Sequence, residues 1–259
     1  MRHIKEIMIV AVCLMVLSFC VCTGFGIYFM YREGVQEYED LRTYVKETDE
    51  DDHTEGTDGS DGKQTVVDFK ALKKINPDIV AWIRIPDTSI DYPVVQGNDD
   101  SYYLTHTFKK TEHVAGAIFL DSDNNADFSD DKNIIYGHNM KDGSMFGCLD
   151  KYLDRDYFEK YNEVFLFTPE EKRTYHIIAA YEHPAEHILT SYDFSTTEGI
   201  NDYLRQIPDF VADSGGVIQD ETEITPPLLT LSTCTRNDKQ KRCLVQGILV
   251  ECEKKNQEE

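Results

Sequence analysis

Basic residues are scarce in this sequence. Its 259 residues include 26 lysines and arginines against 48 aspartates and glutamates, which gives a formal net charge of −22 at pH 7. A protein that binds nucleic acid neutralises phosphates with a basic face. No such face is evident along the chain, so we expect no nucleic-acid partner.

Paired cysteine motifs are also missing. The chain has seven cysteines, but none forms the C-x-x-C pair of a zinc ribbon or a thioredoxin-like site. Cys148, Cys234, Cys243 and Cys252 are scattered over the chain beyond its apolar N-terminal segment, which is too sparse for a disulfide framework. A bridge between Cys234 and Cys243 across a hairpin stays open as a structural alternative that needs a particular cross-strand geometry.

No complete metal-binding motif is present. His183 and His187 have the i, i+4 spacing of a helical metal pair, but Pro184 lies between them and no third ligand is nearby in the sequence. The acidic loop DSDNNADFSDD, residues 121–131, resembles a calcium loop but lacks the glycine and the terminal glutamate of an EF-hand. We therefore expect no metal and no cofactor, with calcium at this loop as the alternative.

Charge is absent from one long segment. Residues 7–30, IMIVAVCLMVLSFCVCTGFGIYFM, run for 24 residues without a charged side chain. As a helix rising about 1.5 Å per residue they would span roughly 36 Å, slightly more than a hydrocarbon core of about 30 Å. Arg2, His3 and Lys5 precede the segment and acidic residues follow it, which places residues 1–6 in the cytoplasm. The length and flanks favour an uncleaved single-pass anchor in the cell membrane over a cleaved signal peptide, with the rest of the chain outside.

Residues 31–64 are polar and acidic. They begin with a helix-like stretch, GVQEYEDLRTYVKE, and continue as TDEDDHTEGTDGSDGKQ, which has almost nothing to bury. Such a composition does not offset the entropy that a chain loses on folding. We expect a tether that is first helical and then flexible, followed by a folded extracytoplasmic domain over residues 65–259.

Eight short apolar stretches recur in that domain between turn residues. They read IVAWIRI, IDYPVV, GAIFL, NIIYG, EVFLFT, RTYHIIAAYE, PLLTLST and CLVQGILVE. A short helix precedes the first of them, with Val67, Leu72 and Ile75 on one face and Pro77 at its end. Only brief helical patterns lie between the others, DDSYYLTH, GSMFGCLDKYL and TTEGINDYLRQI. Many short strands with few helices favour a mostly β barrel over an alternating β-α-β sheet.

Two of these strands carry a candidate active site. In LLTLSTC the alternation of a strand puts Thr230, Ser232 and Cys234 on one face. Residues 235–241 are enough to close a hairpin, so Arg242 enters the next strand near the point where Cys234 leaves the first. A fixed positive charge beside a thiol favours the thiolate, which is the nucleophilic form. The pattern therefore indicates a cysteine nucleophile with a neighbouring arginine.

A thiolate that cleaves an amide needs a proton donor for the leaving amine, and histidine is the usual one. Among the eight histidines, His138 directly follows the strand-like run NIIYG and precedes the loop NMKDGSMFG. Such a position presents a side chain at the mouth of a strand. We therefore predict that His138 is the general acid and base.

These motifs together resemble a known family. TLSTC with an arginine eight positions after its cysteine, and YGHNMKDGSMF upstream, resemble the sortases, the membrane-anchored cysteine transpeptidases of Gram-positive bacteria, and in particular class B. The resemblance covers roughly residues 65–252. It implies an eight-stranded sortase β-barrel with an N-terminal helical extension. It also implies a long helix-bearing connection, residues 182–227, before the cysteine strand.

The resemblance also assigns roles by position. It makes Cys234 the nucleophile, His138 the general acid and base, and Arg242 the group that holds the substrate carbonyl and the developing oxyanion. A guanidinium aimed at growing negative charge is a common form of electrostatic catalysis. The resemblance further implies that Leu104 and Ser232 line the groove for the sorting peptide.

Arg236 is a rival for the role of Arg242. Some class B members have an acidic residue just after the cysteine, whereas this chain has TRND, with Arg236 two positions after Cys234. We favour Arg242, because a residue that enters a strand is held better than one in a loop.

The function implied by the resemblance is transpeptidation. Cys234 would attack a peptide bond in a C-terminal sorting signal of the Asn-Pro-x-Thr-x type, carried by another exported protein, and a peptidoglycan or pilin amine would resolve the acyl-enzyme. Two alternatives stay open. One is a hydrolytic cysteine protease, although His138 precedes Cys234 by 96 positions, the reverse of the papain-like order. The other is a non-catalytic anchored β-barrel binding module in which Cys234 is a buried small hydrophobe.

Overall fold

The computed structural model describes residues 2–49, 63–194, 196–219, 224–235, 238 and 240–255. Its helices and strands in chain order are α1 (Arg2–Arg42), β1 (Val45–Asp49), β2 (Lys63–Val67), α2 (Phe69–Ile75), β3 (Ile79–Arg84), β4 (Asp91–Val95), β5 (Ile118–Leu120), β6 (Lys132–Tyr136), α3 (Arg155–Lys160), β7 (Glu163–Phe167), β8 (Glu171–Pro184), α4 (Ile188–Ser191), α5 (Thr197–Ser214), β9 (Val217–Ile218), β10 (Leu228–Cys234) and β11 (Lys241–Lys254). Two 3-10 helices, Tyr102–Leu104 and Leu149–Leu153, lie in the loops after β4 and β6.

The chain divides into two compact units, Met1–Asp40 and Leu41–Glu259. The first unit consists of most of α1. This helix includes residues 2–6 of the predicted cytoplasmic end and the whole predicted anchor, residues 7–30, whereas Met1 lies outside the described residues. Among the residues given above, no helix meets the length and hydropathy expected of a membrane span.

The second unit begins with part of the predicted tether. Residues 45–49 form β1, which pairs antiparallel with β2. Glu47 on this strand accepts a hydrogen bond of 2.8 Å from Arg84 on β3. Residues 50–62, the most acidic part of the tether, lie outside the described residues. The pairing of β1 thus brings chain from the predicted tether into the compact unit.

Helix α2 ends close to Pro77, as its sequence predicts. Asp68 caps the first turn by accepting a hydrogen bond of 2.8 Å from the backbone nitrogen of Ala71, which satisfies one of the free N–H groups of the helix start. Leu72 is fully buried, and the helix ends at Ile75, just before Pro77. Of the three residues predicted to share one apolar face, only Leu72 is a buried residue of the helix, because Val67 lies on β2 and Ile75 is exposed; Phe69 is the other buried side chain of α2.

Eight strands close into a barrel of mixed direction. The hydrogen-bonded order is β11-β10-β6-β5-β4-β3-β7-β8, and a further pairing of β11 with β8 joins the two ends of the sheet. The β4–β5 and β10–β6 pairs are parallel and the other barrel pairs are antiparallel. Each predicted apolar stretch overlaps one of these strands, so the prediction of an eight-stranded barrel is confirmed. The short strand β9 pairs with β8 outside this ring.

The long connection from β8 to β10 carries α4, α5 and β9. Helix α5 is longer than the predicted TTEGINDYLRQI and continues through Pro208 to Ser214. Its buried side chains, Ile200, Tyr203, Leu204, Ile207 and Val211, recur at helical spacing on both sides of the proline, so one apolar stripe holds both halves of the helix in the core. The helix ends where Gly215 takes a left-handed φ of 69°, a conformation that glycine adopts without strain.

This connection covers the polar face of β10. Thr230 and Ser232 are buried, so β10 is covered on both faces rather than on the leucine face alone. Next to Thr230, the fully buried amine of Lys132 contacts its hydroxyl, the hydroxyl of Tyr203 at 3.0 Å and the side-chain oxygen of Gln246 at 3.3 Å. Burial holds the pKa of Lys132 well below its ordinary value. A buried polar layer therefore joins β6, β10, β11 and α5.

Candidate active site

Cys234 is the last residue of β10. In the antiparallel pair of β10 and β11 it lies directly opposite Arg242, which is the register that the hairpin predicts. Its thiol is free and half-buried. A partly exposed thiol at the end of a strand is accessible to a substrate, which disagrees with the alternative of a buried structural cysteine.

The turn between the two strands is closed by its own hydrogen bonds. The backbone nitrogen of Thr235 donates to Lys241 at 3.2 Å, and the Thr235 hydroxyl donates to the carbonyl of Asp238 at 2.6 Å. These bonds hold the start of β11, and with it Arg242, beside the end of β10. Arg236 lies outside the described residues.

The disulfide alternative does not fit the register. Cys243 lies opposite Thr233 rather than Cys234, and Cys234 and Cys243 are both free. The Cys243 thiol is fully buried and contacts the carbonyl of Leu149 at 3.6 Å. Its burial raises the pKa of Cys243, as expected for an inert structural thiol.

His138 follows the end of β6, which runs parallel to β10. Pairing of the two strands ends at Tyr136 and Ser232, and the backbone nitrogen of Gly137 then donates to Ser232 at 3.2 Å. A Cβ at Gly137 would lie 2.4 Å from the Cδ1 of Ile118 and 2.8 Å from the ring of Phe146, so these side chains would have to move to admit a larger residue directly before His138. Strand pairing and this close approach carry His138 to the same end of the barrel as Cys234.

The imidazole of His138 contacts the barrel loop that precedes β5. Its Nε2 lies 2.6 Å from the backbone oxygen of Leu104. A carbonyl oxygen only accepts hydrogen bonds, so Nε2 carries the proton in this arrangement. The ring is therefore oriented by the last residue of the Tyr102–Leu104 helix.

One pocket contains all five site residues predicted from the sequence. It has a volume of about 330 Å³, and its lining includes Leu104, His138, Ser232, Cys234 and Arg242. Leu104 is 39% exposed, whereas Ser232 is only 3% exposed. The pocket wall thus includes the solvent-exposed side chain of Leu104 and the buried hydroxyl of Ser232, two residues before Cys234 on β10.

Sequence reasoning missed one residue that contacts the backbone of this site. Asn139, directly after His138, donates from its side-chain nitrogen to the backbone oxygen of Cys234 at 2.8 Å and to the carboxylate of Asp150 at 2.9 Å. Its position beside the candidate histidine was the only signal available in the sequence.

A cluster of ionisable groups, two of which line the pocket, was also missed. His187 Nε2 lies 3.1 Å from Asp121 and 3.3 Å from Asp100. Asp121 is fully buried and accepts a hydrogen bond of 2.8 Å from the hydroxyl of Tyr136. Burial is the main cause that raises the pKa of Asp121 above its ordinary value. His187 therefore links the β8–β10 connection to the loop after β4 and to the end of β5.

Among the described residues, Asp100, Asp121 and His187 form the group whose geometry could hold a metal ion, because their ligand atoms lie within 4.8 Å of one another. His183 is not among them, and its Nδ1 lies 2.9 Å from the backbone oxygen of Pro184. In the acidic loop the carboxylates of Asp127 and Asp130 accept hydrogen bonds from the loop itself.

Known proteins resemble this chain over most of the barrel. A family model described as a sortase domain matches residues 83–250. Sortase B of Listeria monocytogenes is 38% identical over 185 residues, which cover 71% of this chain and 74% of that protein. The crystal structure of sortase B from B. anthracis in complex with AAEK1 has a TM-score of 0.69 at 30% identity and covers 88% of this chain and 99% of that one. A Staphylococcus aureus sortase B–substrate complex has a TM-score of 0.63 at 28% identity, covering 71% of this chain and 84% of that one.

Proposed function

Since the chain belongs to the sortase family, as a class B cysteine transpeptidase, we propose that it cleaves a C-terminal sorting signal in other exported proteins and transfers the cleaved protein to a primary amine. The observation that carries the proposal is the pocket at which His138, Cys234 and Arg242 meet. Each of the three comes from a different strand end, and each has the chemistry that one step of the reaction needs.

In the first half-reaction the Cys234 thiolate attacks the carbonyl carbon of the scissile bond, and a carbon–sulfur bond forms. The carbonyl oxygen becomes an oxyanion, which the guanidinium of Arg242 stabilises with its fixed N–H donors. The carbon–nitrogen bond then breaks as protonated His138 gives its proton to the leaving amine. The product is a thioester on Cys234 and a neutral His138.

In the second half-reaction an acceptor amine attacks the thioester. Neutral His138 takes a proton from the attacking nitrogen, and the carbon–sulfur bond breaks to restore the Cys234 thiolate. The new bond is an amide between the exported protein and its acceptor. We propose a peptidoglycan cross-bridge or a pilin lysine as the source of this amine.

The proposed signal is a pentapeptide of the Asn-Pro-x-Thr-x type that is cleaved after threonine. Ser232 and Thr233 line the pocket beside Cys234, and side chains of this size leave room for a compact β-branched residue next to the thiol. Proline in the signal restricts its backbone before binding, which lowers the entropy lost on ordering the peptide. Leu104 and Ser232 are proposed to contact the peptide from the groove wall.

Sortases act at the cell surface, and we propose that residues 7–30 anchor this one in the membrane with residues 1–6 in the cytoplasm. The support is the charge-free run of 24 residues and its basic N-terminal flank. Membrane fractionation of the full chain and of a chain without residues 1–40 tests the anchor. The full chain is expected in the membrane pellet, and its recovery in the soluble fraction would exclude an anchor.

The test of the reaction compares Asn-Pro-x-Thr-x with Leu-Pro-x-Thr-Gly peptides on the full-length protein in detergent. Mass spectrometry is expected to detect a thioester on Cys234 and, after addition of triglycine or a lysine peptide, an amide product. Preference for the first peptide supports the proposed signal, whereas clear preference for the second excludes it without affecting the Cys234 chemistry. Release of free acid alone, even with saturating amine, favours the hydrolytic protease.

A further inference from the structure

Asn139 joins the two segments that carry His138 and Cys234. Its side-chain nitrogen lies 2.8 Å from the backbone oxygen of Cys234 and 2.9 Å from a carboxylate oxygen of Asp150. A backbone carbonyl and an ionised carboxylate both accept hydrogen bonds, so only the NH₂ end of the amide fits here and its two hydrogens serve the two partners. The orientation of this amide is thus determined by its surroundings.

The hydrogen bond between Asn139 and Cys234 lies just past the end of the β6–β10 pairing. Strands β6 and β10 are paired up to Tyr136 and Ser232, and the last backbone bond between these segments is donated by Gly137. Beyond that point β6 ends and β10 continues to Cys234 paired with β11, so among the described residues no β6–β10 ladder fixes the distance between His138 and Cys234. The bond from Asn139 to Cys234 spans the two segments just beyond the end of the ladder, where the histidine and the thiol are.

The other partner of Asn139 is held by the barrel. Asp150 lies in the 3-10 helix Leu149–Leu153, and the carbonyl of Leu149 in this helix contacts the buried thiol of Cys243 on β11. The loop after His138 is also closed at its base, because the nitrogen of Phe146 donates to the carbonyl of His138 at 3.0 Å. Asp150 therefore holds the side-chain amide of Asn139 in place, and this amide in turn holds the backbone of Cys234.

We propose that Asn139 is a positioning residue that sets the separation and orientation of the Cys234 thiol relative to the His138 imidazole. This inference rests on the proposed function, in which these two groups are nucleophile and general acid. Asn139 itself touches the backbone of Cys234 and not the reacting atoms. Loss of the Asn139 side chain is expected to lower the rate by displacing the thiol from the imidazole, since a displacement of about 1 Å between reacting groups can cost about 100-fold in rate.

The test uses the full-length protein and two variants of Asn139. Asn139→Asp replaces the NH₂ group by an oxygen that repels both partners, and we expect kcat to fall about 100-fold with KM unchanged within about twofold. Asn139→Ala removes the link without repulsion and is expected to lower kcat about tenfold. A fall in melting temperature with kcat unchanged would overturn the proposal, because it would reduce Asn139 to a loop stabiliser.

A double variant separates positioning of Cys234 from stabilisation of the loop. In Asn139→Asp with Asp150→Asn, the contact between residues 139 and 150 is restored with donor and acceptor exchanged, but the carbonyl of Cys234 still faces an oxygen. We expect kcat to stay about 100-fold low. Recovery to within about threefold of the native value would show that only the 139–150 contact matters and would overturn the proposal.

The reactivity of Cys234 provides a readout that needs no peptide. We measure the rate of its alkylation by iodoacetamide over a range of pH values and expect a slower reaction in Asn139→Ala, because a displaced imidazole assists the thiol less. An unchanged profile would count against a positioning role. Failure of the native protein to form a thioester with any sorting peptide would instead refute the proposed function, so the two outcomes are distinguishable.

Asn125 supplies the matched control. Its side-chain nitrogen donates to Asp130 at 2.7 Å in the exposed loop of residues 121–131. Asn125→Asp breaks the same type of amide–carboxylate bond, and we expect kcat and the alkylation profile to stay unchanged. If Asn139→Asp does not fold, as judged by circular dichroism, the Asn139→Ala measurements decide the proposal.

Discussion

Cys234 and Arg242 are paired residues, directly opposite one another where β10 ends and β11 begins. Hydrogen bonds of Thr235 with Lys241 and Asp238 hold the adjoining ends of the two strands together. Since residue 183 on β8 pairs with Arg242 from the other side, the arginine is held within a three-stranded part of the barrel. This pairing fixes the backbone of Arg242 beside that of Cys234, and both residues line the same pocket.

For this reason we expect Arg242→Lys to keep the fold and to lose most of its activity, about 100-fold in kcat/KM. Lysine keeps the charge but lacks the planar group that donates two parallel hydrogen bonds to a carbonyl oxygen or oxyanion. Peptide cleavage and thermal unfolding are measured together, with Arg205→Lys on the exposed face of α5 as the control. If Arg236→Ala proves more damaging than Arg242→Lys, the roles of the two arginines have to be exchanged.

Replacement of the nucleophile is expected to separate activity from stability. Cys234→Ala removes a half-buried thiol at the end of a strand, so turnover should disappear while the melting temperature changes by no more than about 2 °C. Cys252→Ala, at an exposed position on β11, is the matched control and should retain full activity. Residual thioester formation in Cys234→Ala would identify a different nucleophile.

The role of His138 is tested with two leaving groups. His138→Ala should slow cleavage of a peptide bond by about 10³-fold, because the departing amine is no longer protonated. A thioester analogue of the same signal has a leaving group that needs no proton, so its cleavage should slow far less. Equal losses on both substrates would indicate that His138 acts on Cys234 or on the fold rather than on the leaving group. His176→Ala on β8 controls for loss of an imidazole elsewhere in the barrel.

The buried amine of Lys132 predicts a pH dependence of stability. Its pKa in the folded protein lies well below the value of 10.5 that applies to an exposed lysine, so between the two values the unfolded chain binds more protons. Stability contributed by this site therefore rises with pH and levels off above 10.5. We expect Lys132→Met to be more stable relative to the native protein at pH 7 than at pH 9.5.

Urea unfolding at several pH values measures this difference. The hydrogen bonds that Lys132 makes with Tyr203 and Thr230 are lost at every pH, so they shift the curves without changing the trend. Lys74→Met, an exposed position on α2, should give a difference that does not change with pH. A pH-independent difference for Lys132→Met would contradict the prediction.

The N-terminal limit of the folded domain is tested by truncation. A chain of residues 65–259 should be soluble and folded, because it contains every strand of the barrel. A chain of residues 41–259 also has β1, the buried Leu41 and the ion pair of Glu47 with Arg84. We expect it to melt about 5 to 10 °C higher. Aggregation of the shorter chain would place the domain boundary before Thr65, and equal melting temperatures would show that β1 adds no stability.

Local sequence patterns were sufficient to predict the eight barrel strands and the pairing of Cys234 with Arg242. Alternation of apolar residues and the turn residues between them identify the eight barrel strands, since both signals depend only on near neighbours. The pairing of Cys234 with Arg242 follows for the same reason, because a short turn brings the ends of consecutive strands together. Alternation was less informative about Thr230, whose polar face is buried by a helix from another part of the chain.

Contacts between segments that are distant in the sequence depend on which strands pair in the closed barrel. The parallel pairing of β6 with β10 brings His138 and Asn139 to Cys234, although about 95 residues separate them. Closure of β11 on β8 and the packing of α5 likewise create the buried layer around Lys132 and the contact of His187 with Asp121. A strand's own residues show which of its faces is apolar, but they do not specify which strand lies beside it. That choice depends on the free energy of the whole closed sheet, so these contacts appear only in the tertiary structure.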